Sequence, residues 1–208
     1  MAWTPNPARL LPVIARPGCA GPRSNAKRCA VAIVFALAPA AHADGDDQAM
    51  SLDVGWATFS APGQPQKGSS MTPPAVSPDF GGALGIVYEH GLSTDISLRG
   101  ELAGHIFTGG GSATQSDPSY AALGDVGAVF RFDVLKYVPY AFGGVGGVWS
   151  TGGPIDRGSE FVVVLGGGLD VLASRSRSWG IEGRLASFGG DVTVLSIGLR
   201  GTIRWGYF

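Results

Sequence analysis

Apolar and polar residues alternate with a period of two over long stretches, and nothing else in the sequence restricts the fold so strongly. From Asp95 to Phe107 one set reads Asp95, Ser97, Arg99, Glu101, Ala103, His105, and the other Ile96, Leu98, Gly100, Leu102, Gly104, Ile106. Successive side chains of a strand point to opposite faces, so this segment has one apolar and one polar side. A helix would throw Ile96 and Leu98 to nearly opposite sides.

The pattern recurs in seven more segments: Ser51 to Phe59, Phe80 to His90, Tyr120 to Asp133, Val138 to Val148, Glu160 to Leu172, Trp179 to Phe188 and Val192 to Phe208. Val138 to Val148 is rich in glycine, with Tyr140, Phe142 and Val148 on one face. Eight segments of about ten residues or more match the length a tilted strand needs to cross the hydrocarbon layer. Short connections (Gly91 to Thr94, Val134 to Tyr137, Ala173 to Ser178) alternate with long ones (Ser60 to Asp79, Thr108 to Ser119, Ser150 to Ser159), and a tight Gly189-Gly190 breaks the trend. Long loops on one rim and tight turns on the other are expected of transmembrane barrels. Each unsatisfied backbone group in lipid costs several kcal/mol, so the sheet must close.

The polarity of the two faces follows from charge. A soluble barrel needs many exterior Lys and Glu. Past residue 43 only Lys67 and Lys136 remain, both in connections. The polar faces hold Gly, Ala, Ser and a few charges of both signs, which suit a narrow interior. The large apolar residues then form a lipid-facing band. Trp56, Tyr88, Tyr137, Tyr140, Trp149, Trp179, Trp205 and Tyr207 fall mostly near strand ends, where interfacial girdles form. The expected fold class is all-β: a closed antiparallel transmembrane barrel of eight strands.

Residues 1–43 read as a removed secretory leader. Arg9, Arg16, Arg23, Lys27 and Arg28 precede an apolar run, Ala30 to Ala41, and the small-residue pattern Ala41-His42-Ala43. Residues 44–208 form the one remaining domain. Its charge is near −6, because ten of the fifteen Lys and Arg remain against all sixteen acids. A basic nucleic-acid footprint is absent. Cys19 and Cys29 both fall in the leader, which leaves no disulfide framework and no thiolate metal site.

These features resemble the small outer-membrane barrels of the OmpA, OmpX and OmpW types across Asp44 to Phe208. The leader, the eight segments, the run Tyr137-Val138-Pro139-Tyr140-Ala141-Phe142-Gly143-Gly144-Val145-Gly146 and the aromatic end Trp205-Gly206-Tyr207-Phe208 carry the resemblance. It implies a bacterial outer-membrane location, termini in the periplasm, contact with membrane lipid, and Trp205, Tyr207 and Phe208 as the signal read by the barrel-insertion machinery. The pattern departs from the family's at the very end: alternation by twos is apolar from Tyr207, not from Phe208.

Thirteen charged residues are expected inside: Asp53, Glu89, Asp95, Arg99, Glu101, Asp125, Arg131, Asp133, Asp170, Glu182, Arg184, Arg200 and Arg204. Of these, Arg99, Glu101, Asp125, Arg131, Glu182 and Arg184 are expected to form one lumen network that fills a barrel too narrow for a pore. The glycines at 143–147 and 166–168 are read as room for bulky neighbours or curvature. No cofactor, metal or catalytic motif is expected. Lipid A deacylases on similar barrels carry His and Ser two residues apart late in a strand; here Ser187 ends a segment with no His beside it, and His105 precedes Phe107 by two. The expected role is structural or in surface interaction, with an unidentified external partner. A narrow channel or carrier for small solutes, hydrophobic ones included, is the alternative, and a lipid A hydrolase ranks below both.

Overall fold

The computed structural model describes residues 47–63, 74–110, 118–132 and 136–206. The strands are β1 (Gln48–Pro62), β2 (Ala75–Val76), β3 (Phe80–Gly91), β4 (Ile96–Thr108), β5 (Ser119–Arg131), β6 (Tyr137–Thr151), β7 (Gly158–Ser174), β8 (Arg177–Phe188) and β9 (Val192–Trp205). β1 and β3 to β9 pair antiparallel in sequence order, and β1 closes the ring on β9 from Gln48↔Trp205 to Ser60↔Thr193. The result is the expected eight-stranded closed barrel. Its strands run 12 to 17 residues, longer than the hydrocarbon crossing requires.

β2 is the one strand the alternation does not announce. It adds two residues outside the ring, pairing Ala61↔Val76 and Pro62↔Ala75. The β8–β9 turn is tight because Gly189 and Gly190 take φ of 63° and 78°, a left-handed conformation costly for other residues.

The alternation sets the orientation of most strands. Leu52, Leu84, Leu102, Leu165, Ile197 and Leu199 are exposed on the outside, whereas Asp53, Glu101, Glu182 and Arg200 are buried inside. A wall with leucine out and charge in is stable only against lipid. Trp56, Tyr88, Tyr137, Trp149, Trp179 and Trp205 all face outward. The leader, Asp133, Tyr207 and Phe208 lie outside the described residues.

Tyr140 departs from the expected girdle. It is buried in the lumen with Phe142 and Val148, so β6 presents the face opposite to that of a lipid-facing aromatic row. Asp95 departs too: it is exposed in the β3–β4 turn, not inside. The turn takes it out of the barrel, where its carbonyl accepts the Arg131 amide at 2.8 Å.

The lumen divides along its length. The half toward the long loops is apolar, with Phe59, Phe107, Leu123, Val162, Val164 and Phe188 packed together. Phe59 and Phe107 meet edge to face at 5.1 Å between centroids. Ile155, on a single 3-10 turn (Gly153–Ile155), is fully buried against this cluster. The half toward the tight turns holds the charges.

Candidate functional site in the barrel lumen

Two ion pairs cross the barrel between opposite walls. β4 and β8 stand four strands apart in a ring of eight, as far as the ring allows. Arg99 on β4 grips Glu182 on β8 with both terminal nitrogens, Nη2 to Oε1 at 2.7 Å and Nη1 to Oε2 at 3.1 Å. Arg184 on β8 returns the connection by pairing with Glu101 on β4. Arg99 Nη2 also donates to Glu101 Oε2 at 2.7 Å, which joins the two crossings. Alternation places each pair on one face two residues apart, and no turn or linker intervenes.

The network extends toward the tight turns through Arg200. Its Nη1 donates to Glu182 Oε2 at 2.9 Å and its Nη2 to Glu89 Oε1 at 2.6 Å and Ser51 Oγ at 2.8 Å. Arg131 pairs with Glu89 and donates to Ser97 Oγ at 2.6 Å. A second, smaller cluster follows, with Arg204 Nη2 and Ser178 Oγ donating to Asp170 Oδ2 at 2.8 and 3.0 Å.

Of the six residues expected in one network, five are connected. Arg99, Glu101, Glu182 and Arg184 are in direct contact, and Arg131 is linked to them through Glu89 and Arg200. Asp125 faces the same lumen, opposite Glu101 in register, but makes no ion pair among the described residues. Glu89 and Arg200 were legible as interior charges yet not as hubs, because their role depends on register across the β1–β3–β9 closure.

Tyr140 was not legible as part of the site. Its hydroxyl donates to Glu182 Oε2 at 3.0 Å. The Arg99 guanidinium lies 3.7 Å from the Phe142 ring centroid, and that of Arg200 4.9 Å from Tyr140. Such stacking helps replace the water these cations give up. Both rings fit because their neighbours on β7 have no side chain: a Cβ at Gly166 would strike Phe142, and one at Gly168 would lie 2.7 Å from Tyr140 Cζ. A Cβ at Gly168 would also strike the Ile181 carbonyl oxygen, so Gly168→Val should push both the β7–β8 backbone and Tyr140 aside and cost about 1–3 kcal/mol or more, as overpacking does, read as a lowered urea midpoint in vesicles.

A cavity of about 20 Å³ is lined by Asp53, Glu182, Arg184 and Ser196 with Gly55, Gly85 and Gly198. That is room for one water, not for a hydrated ion in transit.

No family model and no curated protein matches the chain. Solved structures do. Neisserial surface protein A aligns at TM-score 0.53 and 11% identity over 76% of this chain and 97% of its own. Ail, the attachment invasion locus protein of Yersinia pestis, aligns at 0.50 and 14% over 77% and 99%. The outer membrane protein OprG from Pseudomonas aeruginosa aligns at 0.51 and 10% over 77% and 98%. The fold is thus that of the small eight-stranded outer-membrane barrels.

Proposed function

We propose that this chain is a non-catalytic barrel of a bacterial outer membrane, sealed along its axis, with a structural or surface-interaction role. The diametric pairing of Arg99 with Glu182 carries this reading. Opening a path would mean parting buried charges from their ion-pair partners, which is strongly unfavourable. The even strand count puts both ends of the barrel on the tight-turn rim, which supports termini in the periplasm and long loops outside. The fold is shared with proteins named for the cell surface and for attachment. Planar bilayers and liposome-swelling assays should both remain silent; stepwise conductance would remove the sealed reading.

One observation favours a carrier as the second reading. The apolar half of the lumen, with Phe59, Phe107 and Phe188, would receive a small hydrophobic solute better than an ion. Faster uptake of such a solute into protein-containing vesicles, with conductance still silent, would shift the choice to it. A hydrolase finds less support. Ser187 faces outward on β8 while His105 is buried inside on the opposite wall, β4, so this pair is not placed for proton transfer.

A further inference from the structure

We propose that the tight-turn rim from β6 to β8 is a binding surface for the phosphate groups of anionic phospholipids. Three exposed cations stand there on two neighbouring turns: Lys136 before β6, Arg175 in the β7–β8 turn and Arg177 at the start of β8. The pairing of β6 with β7 brings these turns together, and the Leu172 amide donates to the Lys136 carbonyl at 3.0 Å.

The order of residues up the wall follows the order of groups in a lipid. Tyr137, Val171 and Trp179 are register neighbours on the outer face, one level above the cations. Leu169 and Ile181 come next, exposed to the acyl region. Arg177 shares the outward face of β8 with Trp179 and Ile181. Cations at phosphate depth, aromatic rings at the glycerol and aliphatic residues beyond them make a graded receptor for one leaflet.

Charge makes the surface selective, where a neutral girdle would not be. Lys136, Arg175 and Arg177 make no ion pair among the described residues, which do not include Asp133 of the β5–β6 turn. The described acids of the same rim, Asp47 and Asp95, lie on the β1–β3–β4 side. The opposite rim has the reverse balance. Asp79, Asp156, Glu160 and Asp191 outnumber Arg157 among its described residues, and Arg157 is held by Asp191 at 2.9 Å. Anionic headgroups are therefore drawn to one sector of one rim.

The test uses folded protein purified from membranes and placed in phosphatidylcholine vesicles. Tryptophan quenching by brominated phosphatidylglycerol is compared with quenching by brominated phosphatidylcholine. The anionic lipid should be preferred about five-fold at low salt, the factor a single cation near a surface supplies, falling toward parity at about 0.5 M salt. The triple variant K136Q/R175Q/R177Q should abolish the preference, and R157Q on the other rim should keep it. Parity in the unmodified protein at low salt, or full preference in the triple variant, overturns the proposal. Should the triple variant not fold, the three single variants and the salt series decide, and a preference indifferent to salt counts against it.

Discussion

Glu182→Leu should lower the unfolding free energy of the barrel by about 3–5 kcal/mol, the range for breaking a buried ion pair from one side. Glu182 is 5% exposed and accepts from Arg99, Arg200 and Tyr140 at once. A tally of lumen charge suggests the opposite result. Asp53, Glu89, Glu101, Asp125, Asp170 and Glu182 face Arg99, Arg131, Arg184, Arg200 and Arg204, so removing one acid balances the signs. Local geometry outweighs that tally. The substitution leaves two guanidinium groups short of their shared acceptor, and each loses charge-assisted bonds to it. Glu182→Gln keeps one acceptor oxygen and the shape, so its cost should be about half as large. Urea midpoints in lipid vesicles, with gel mobility before and after boiling to confirm folding, provide the measurement. A Glu182→Leu barrel as stable as the parent would show that the crossing contributes little to the fold.

The legibility of this architecture in sequence varied from strand to strand for a physical reason. In β4 the inward positions from Ser97 to His105 are polar or small and each second outward position is a large aliphatic, so the phase of the alternation is unambiguous. β6 offers no such marker. Its middle is Gly143, Gly144, Val145, Gly146 and Gly147, and its aromatics sit on the face the glycines of β7 make room for. Tyr140 and Phe142 are therefore lumen residues although their chemistry also suits lipid. The apolar half of the lumen was hidden in the same way. Val162 and Val164 lie between Phe161, Val163 and Leu165, so β7 is apolar on both faces and period two cannot separate them. Pairings across the barrel depend on register and closure, neither of which a single strand encodes. The charges themselves were readable, and their partners were not.

Leu102→Arg is the second substitution with a large expected effect, about 2–4 kcal/mol of destabilisation, the cost of a cation on the lipid face at the bilayer midplane. Leu102 stands at the centre of β4 and is 72% exposed, beside Gly124 in register. In water such a change would cost little, since an exposed leucine gains nothing from solvent. The sign and size of the effect thus report which solvent meets this wall. Depth supplies an internal control. Ile203→Arg, near the tight-turn rim, can extend its guanidinium to the headgroups and should cost only about 0–1 kcal/mol. Both are read from urea or guanidinium unfolding in vesicles of one lipid composition, so that the bilayer is constant. Equal, small costs at both depths would mean that Leu102 and Ile203 face water, and the reading of the barrel as a membrane protein would fail with them.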